Sequence, residues 1–217
     1  MMPQIGAIVL AAGTSSRLGR PKQLLQLGNK AVFLHALDCA LRNQLDPVVL
    51  VAGAHFDRIG QLLENRDLRG NVEVVQNREP ERGMASSLQI GVQRLAGRVT
   101  AVVVFLADQP FVPDEVVQQL TTTYHKFRDQ GCRIVRPTYA GVPGNPVLFD
   151  SDLFPDLFSL QGDTGARPLL KGTRFDLWTL PFNNPVWGMD VDTEEDWNRI
   201  QAVYKELGAT AASGTEP

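Results

Sequence analysis

The chain has 217 residues, of which 43% are hydrophobic and 21% charged, and 24 acidic against 21 basic side chains leave a net charge of −3. This suits one packed domain, excludes disordered, collagen-like and disulfide-dense chains, and argues against a broad basic surface for nucleic acid. No apolar run approaches the roughly 20 residues of a membrane span, and the opening Met1-Met2-Pro3-Gln4 lacks the regions of a signal peptide, so a cytoplasmic protein is expected.

The first element is a short apolar run, Ile5 to Leu10, with the β-branched content of a buried strand. It opens into Leu10-Ala11-Ala12-Gly13-Thr14-Ser15-Ser16-Arg17-Leu18-Gly19-Arg20-Pro21-Lys22. Small residues let backbone N–H groups come close to a ligand, and Arg17, Arg20 and Lys22 add positive charge, a combination suited to a polyphosphate. The spacing matches neither a P-loop nor G-x-G-x-x-G, and a merely structural glycine loop is the plain alternative. Phe33, Leu37, Ala40 and Leu41 then recur with helical period, with Cys39 buried on that helix. Val48 to Val51 is a second strand, Ile59, Leu62 and Leu63 mark a short helix, and Val72 to Val75 is a third strand.

Gly83-Met84-Ala85-Ser86-Ser87-Leu88 opens the next helix. Its free N–H groups and the hydroxyls of Ser86 and Ser87 can hold a base, ribose or phosphate, although serines also cap helices for purely structural reasons. Val102 to Leu106 is a strand that delivers Ala107-Asp108-Gln109-Pro110. Ligands of open α/β sheets bind beyond the carboxyl ends of strands, so Asp108 is aimed at the same edge as the first loop. A carboxylate beside a triphosphate calls for a cation, and Mg²⁺ is the natural one.

Pro113-Asp114-Glu115 starts a helix running to about Phe127, with the proline at its first position. Afterwards the rhythm changes. Ile134-Val135, Pro146 to Phe149 and Phe175 to Leu180 read as strands, Cys132 as strand packing, and the links between them are rich in Gly, Pro and Asp. Asp190-Val191-Asp192 sets two carboxylates on one side of an extended segment, as a second metal ligand or as help for the last helix. That helix begins at Thr193-Glu194-Glu195-Asp196 with Asp196 in the capping-box position, buries Trp197, Ile200, Tyr204 and Leu207, and gives way to a disordered tail from Gly208 to Pro217. The cysteines and His35, His55 and His125 have no metal-ligand spacing.

Strand-helix alternation predicts an α/β fold, a Rossmann-like three-layer sandwich with a mostly parallel sheet. One domain spans 1–207, with a nucleotide-binding half over about 1–128 and an acceptor-binding half over about 129–207.

Taken in order, L-A-A-G-T-S-S-R-L-G-R-P-K, G-M-A-S-S-L, A-D-Q-P, G-V-P-G-N-P-V-L-F, G-D-T-G-A-R and D-V-D-T-E-E-D resemble the MobA-like nucleotidyltransferase family over about Ile5 to Leu207, and within it the molybdenum cofactor cytidylyltransferases. The resemblance implies transfer of CMP from CTP to the terminal phosphate of molybdopterin with release of pyrophosphate, or the same reaction with GTP in guanylyltransferase relatives. It implies nucleotide contacts from Leu10, Ala11, Ala12, Gly13, Lys22, Ser86 and Ser87, with Lys22, Asp108 and Arg17 serving catalysis. It also implies Mg²⁺ on Asp108 and Asp190, acceptor contacts from Asn145, Gly162, Asp163 and Arg167, and a molybdoenzyme as client. One departure is Asn145, where many relatives carry histidine. Two other classes stay open. An NAD(P)-dependent oxidoreductase predicts a glycine fingerprint that is absent here, and a non-catalytic nucleotide-binding maturation factor differs only in lacking turnover.

Overall fold

The computed structural model describes residues 4–15, 17–64, 66, 68, 72–171 and 174–213. Strand β1 (Ile5–Ala11) leads through a long loop to a small hairpin, β2 (Gln26–Leu27) and β3 (Lys30–Ala31). Helices and strands then alternate through α1 (Val32–Arg42), β4 (Val48–Ala52), α2 (Phe56–Glu64), β5 (Val72–Gln76), α3 (Met84–Leu95) and β6 (Ala101–Leu106). After α4 (Asp114–Phe127) come β7 (Ile134–Tyr139), β8 (Val142–Pro143) and β9 (Val147–Asp150). Short helices α5 (Phe154–Ser159) and α6 (Arg167–Lys171), strand β10 (Leu177–Phe182) and helix α7 (Glu194–Ser213) complete the chain.

The sheet has the order β10-β7-β9-β6-β1-β4-β5, with β8 beside β7. β1 runs parallel to β4 and β6, β4 to β5, and β10 to β7, so the expected mostly parallel α/β sheet is what forms. Only β8 and β9 run against their neighbours, because the turn after β7 is too short for the crossover that a parallel return requires. Helices cover both faces, which is why every residue of β4 is buried. Phe33, Leu37, Phe105 and Tyr124 pack one face, and Ile8, Leu88, Phe149 and Leu157 the other.

Several boundaries differ from the sequence reading. Pro113 caps α4 rather than forming its first residue, and β10 starts at Leu177 rather than Phe175. Cys132 is buried in the turn before β7, not on the strand. Thr193 and Asp196 do form a capping box: Asp196 Oδ2 accepts from Thr193 N at 2.9 Å, and Asp196 N donates to Thr193 Oγ1 at 3.2 Å. Trp197 and Ile200 are buried, whereas Leu207 is 53% exposed. The helix also runs on to Ser213 instead of stopping at Leu207, since the alanine-rich stretch beyond Gly208 favours helix. The rest of the expected tail, 214–217, lies outside the described residues.

His35 shows how the core constrains a titratable group. Its ring stands edge-on to Tyr204, with centroids 6.0 Å apart, and Nε2 lies 3.2 Å from Leu27 O. Burial, followed by the charge of Lys30, pushes its pKa down to about 4. An unfolded histidine takes up its proton near pH 6.5, so the fold loses stability as pH falls from about 6.5 towards 4. Urea titrations at pH 7 and pH 5 are expected to show a larger loss for the wild type than for His35→Gln. Equal losses would clear His35 of this role.

Candidate active site

Parallel pairing of β1 with β6 sets Leu10 opposite Leu106, so the chain beyond each strand leaves at one edge of the sheet. Val191 N donates to Asp108 O at 3.2 Å and draws the Asp190 to Asp192 segment to the same edge.

The glycine loop after β1 is held by a residue that its motif did not single out. Buried Gln23 donates through Nε2 to the carbonyl oxygens of Ala11 and Gly13, both at 2.9 Å. Ser15, with φ of 54°, accepts from Lys22 N at 3.0 Å and bends the chain so that Lys22 turns back to the sheet edge. Lys22 Nζ lies 2.6 Å from Asp108 Oδ2 and 2.7 Å from Asp192 Oδ1. Burial works against the ammonium, but Asp108 and then Asp192 overcome it and hold its pKa above the ordinary lysine value. Lys22 is therefore a fixed positive charge at neutral pH.

Arg17 is mostly exposed and lies 3.2 Å from Asp192, while Arg20 makes a forked contact with Glu194 at 2.6 and 2.8 Å. Asp108 has one oxygen on Lys22 and the other, Oδ1, buried without a hydrogen-bond partner. Asp190 opens to the cleft, and its pKa is pushed up to about 6 by burial, then by Asp108 and Asp192. An orphan carboxylate oxygen beside a second acid fits a hard divalent cation, which characteristically takes one or two protein carboxylates and completes its shell with substrate oxygens and water. Among the described residues no three Asp, Glu, His or Cys side chains already form a metal cage.

At the start of α3 the two serines part company. Asn77 Nδ2 donates to Ser86 Oγ at 2.8 Å and to Ser87 Oγ at 2.9 Å, fixing both. Ser87 faces a cavity of about 140 Å³ shared with Leu10, Gly13, Lys22 and Asp108, and Ala11 and Ala12 also line it. Ser86 instead faces an open cleft between α3 and α5, together with Gly162, and donates to Gly83 O at 2.8 Å. The first turn of α3 is closed by Asp163, whose Oδ1 accepts from Met84 N at 3.2 Å. Gly83, with φ of 89°, permits this approach, since a Cβ there would overlap the backbone of Gly162.

A second cavity, of about 420 Å³, adjoins the first and shares Leu10, Met84, Leu106 and Asp163 with it. Asn145, Arg167 and Asp190 line it, with Gln109 and Arg136. Tyr139 donates to Asn145 O at 2.6 Å, which fixes the loop before β9. Arg17 lines neither cavity. Gln23, Asn77 and Arg136 carry no spacing signal in the sequence because they are isolated polar residues, and Gln109 is legible there only as part of the A-D-Q-P motif, with no role of its own.

The MobA-like NTP transferase domain family matches residues 7–177. The chain is 23% identical over 210 residues to molybdenum cofactor cytidylyltransferase of Escherichia coli strain K12, covering 95% of this chain and all of that protein. It is 28% identical over 211 residues to nicotine blue oxidoreductase of Paenarthrobacter nicotinovorans, covering 92% of this chain and 97% of that one. Among solved structures, a Mycobacterium tuberculosis H37Rv protein superposes with a TM-score of 0.78 at 31% identity, over 92% of this chain and 98% of that one. The same protein has also been solved in complex with manganese, at 29% identity and a TM-score of 0.71 over the same shares of the two chains. With the family matched across most of its length, and with the fold and sheet edge described above, this chain belongs to the MobA-like NTP transferase family and is a nucleotidyltransferase.

Proposed function

We propose that the protein transfers CMP from CTP to the terminal phosphate of a molybdopterin-type acceptor in the cytosol, releasing pyrophosphate. The observation that carries this reading is the pair of adjoining cavities with a shared wall at Leu10, Met84, Leu106 and Asp163. One holds the donor and the other the acceptor.

The nucleotide lies against Leu10, Ala11, Ala12 and Gly13, with Ser87 beyond them. The first cavity is smaller than a whole nucleoside triphosphate, so the glycine loop opens to admit one. Lys22 exchanges Asp192 for the nucleotide's phosphates, and Arg17, held near Asp192, approaches them from outside. Asp108 and Asp190 would hold Mg²⁺, which when bound offsets charge on the phosphates. Asn145 and Arg167 steady the acceptor, whose phosphate oxygen is already an anionic nucleophile. That oxygen forms the new bond to the α-phosphorus while the α–β bridging P–O bond breaks and pyrophosphate leaves. Alignment and charge screening therefore carry the catalysis, and no serine or histidine nucleophile is required.

A pyrophosphate-release assay across the four NTPs, with and without molybdopterin, tests this. Release is expected with CTP and only when acceptor is present. Faster release with GTP would assign the chain to guanylyl transfer. The oxidoreductase among the relatives motivates a second reading, hydride transfer from NAD(P)H with the dinucleotide in the donor cavity. NAD(P)H oxidation without any NTP turnover would favour it over the first.

A further inference from the structure

The cavity that holds Asn145 is lined by two arginines that have no carboxylate partner among the described residues. Arg136 projects from β7, is half buried, and donates through Nε to Gly144 O at 3.1 Å. Arg167 stands at the start of α6 on the same cavity, and among the described residues neither makes an ion pair. Asp163 and Asp190 also line the cavity, but Asp163 is engaged with Met84 N and neither acid reaches the arginines as an ion pair. Burial, then the nearby Arg167, holds the Arg136 guanidinium below its ordinary range, as expected where like charges share a site without a counter-ion. Beside them is Gln109, 5% exposed, whose Oε1 has no hydrogen-bond partner. Its Nε2 is 3.4 Å from Gly188 O, so the amide is held with its oxygen left over. Arg167 is exposed and Arg136 half buried, so the buried atom left unsatisfied here is Gln109 Oε1, which costs stability unless a partner reaches it, and a binding cavity is where that partner can be a ligand.

We infer that Arg136 and Arg167 form a clamp for an oxyanion of the acceptor, a phosphate monoester, and that Gln109 Oε1 accepts an N–H or O–H from the same molecule. This deepens the proposed transfer, because it identifies what the second cavity recognises. Guanidinium forks match phosphate oxygens in pairs, whereas a lysine would act as a point charge. The apolar part of the wall, including Val104, Val147 and Phe149, suits the flat face of an aromatic ring attached to that monoester.

The probe is phenyl phosphate, titrated by calorimetry into the full chain with CTP already saturating and divalent metal chelated, so that no transfer occurs. Arg136→Ala and Arg167→Ala are each expected to weaken phenyl phosphate binding by about tenfold or more, the scale of one lost charge-assisted hydrogen bond. Arg136→Lys is expected to recover only part of that loss. CTP affinity in all three variants should stay within about twofold of the wild type, which also reports that the fold is intact. A wild type that fails to bind phenyl phosphate, or an Arg136→Ala variant that binds it unchanged, overturns the clamp. Arginine-dependent binding combined with no cytidylylation of molybdopterin upholds the clamp and sinks the proposed acceptor instead, so the two ideas fail separately.

Discussion

Asp108→Asn is expected to lower nucleotide turnover by about 10²-fold or more, the scale of removing a principal electrostatic stabiliser. The two carboxylate oxygens are not equivalent in the free protein. Oδ2 is held by Lys22 at 2.6 Å, while Oδ1 is buried with nothing to accept from. An asparagine keeps the shape of the side chain but removes the negative charge, so the cation proposed for Oδ1 loses its principal ligand and Lys22 loses its nearest counter-ion. Asp108 lies at the sheet edge and not in the core, so the fold should survive. Steady-state rates over a Mg²⁺ titration, with manganese binding followed by electron paramagnetic resonance, provide the test. A variant with unchanged rate and unchanged metal dependence would remove Asp108 from the site.

Lys22→Ala is expected to raise the Kd for CTP by at least about tenfold and to lower turnover by about 10²-fold, because a charge-assisted phosphate contact is lost both in binding and in transfer. The same change leaves Asp108 and Asp192 facing each other without the ammonium between them. The melting temperature of the free protein should therefore drop, and added divalent cation should restore part of it by taking the place of the missing charge. Lys22→Arg is expected to rescue poorly, since the larger planar head does not fit the narrow gap between the two carboxylates. Calorimetry with CTP and thermal melts with and without Mg²⁺ measure both halves. Wild-type CTP affinity in Lys22→Ala would separate this lysine from the nucleotide.

What the sequence disclosed and what it hid follow one physical line. Contiguous runs such as Val102 to Leu106 identify a buried strand, and the rule that ligands gather beyond strand ends was enough to aim Asp108 and the first loop at one edge. The capping box was legible because its two residues act over a fixed spacing, even with Asp196 where Glu is usual. The reversal of β9 and the closure of α3 by Asp163 were not legible, since each depends on a partner about 45 to 80 residues away, at Val102 to Phe149 and at Met84 to Asp163. Arg136 was missed for the opposite reason. An arginine on a strand usually reaches open water, and only the packed cavity shows that this one is half buried with no carboxylate paired to it among the described residues. Ser86 illustrates a motif that holds two neighbours for one purpose while the helix turns them toward different cavities.

The antiparallel strand β9 has one further consequence. It is hydrogen-bonded to β6 on one side and to β7 on the other, so the proposed donor and acceptor sides share an unbroken backbone lattice. Enzymes that close by swinging two lobes need a pliable joint between them, and a ladder of amide bonds is a poor joint. In the transfer proposed above, the frame is therefore expected to stay still, with accommodation of the substrates falling to the turns on its rim. On that reading, selectivity for the proposed acceptor can drift by editing a few turns on the rim without disturbing the sheet beneath them.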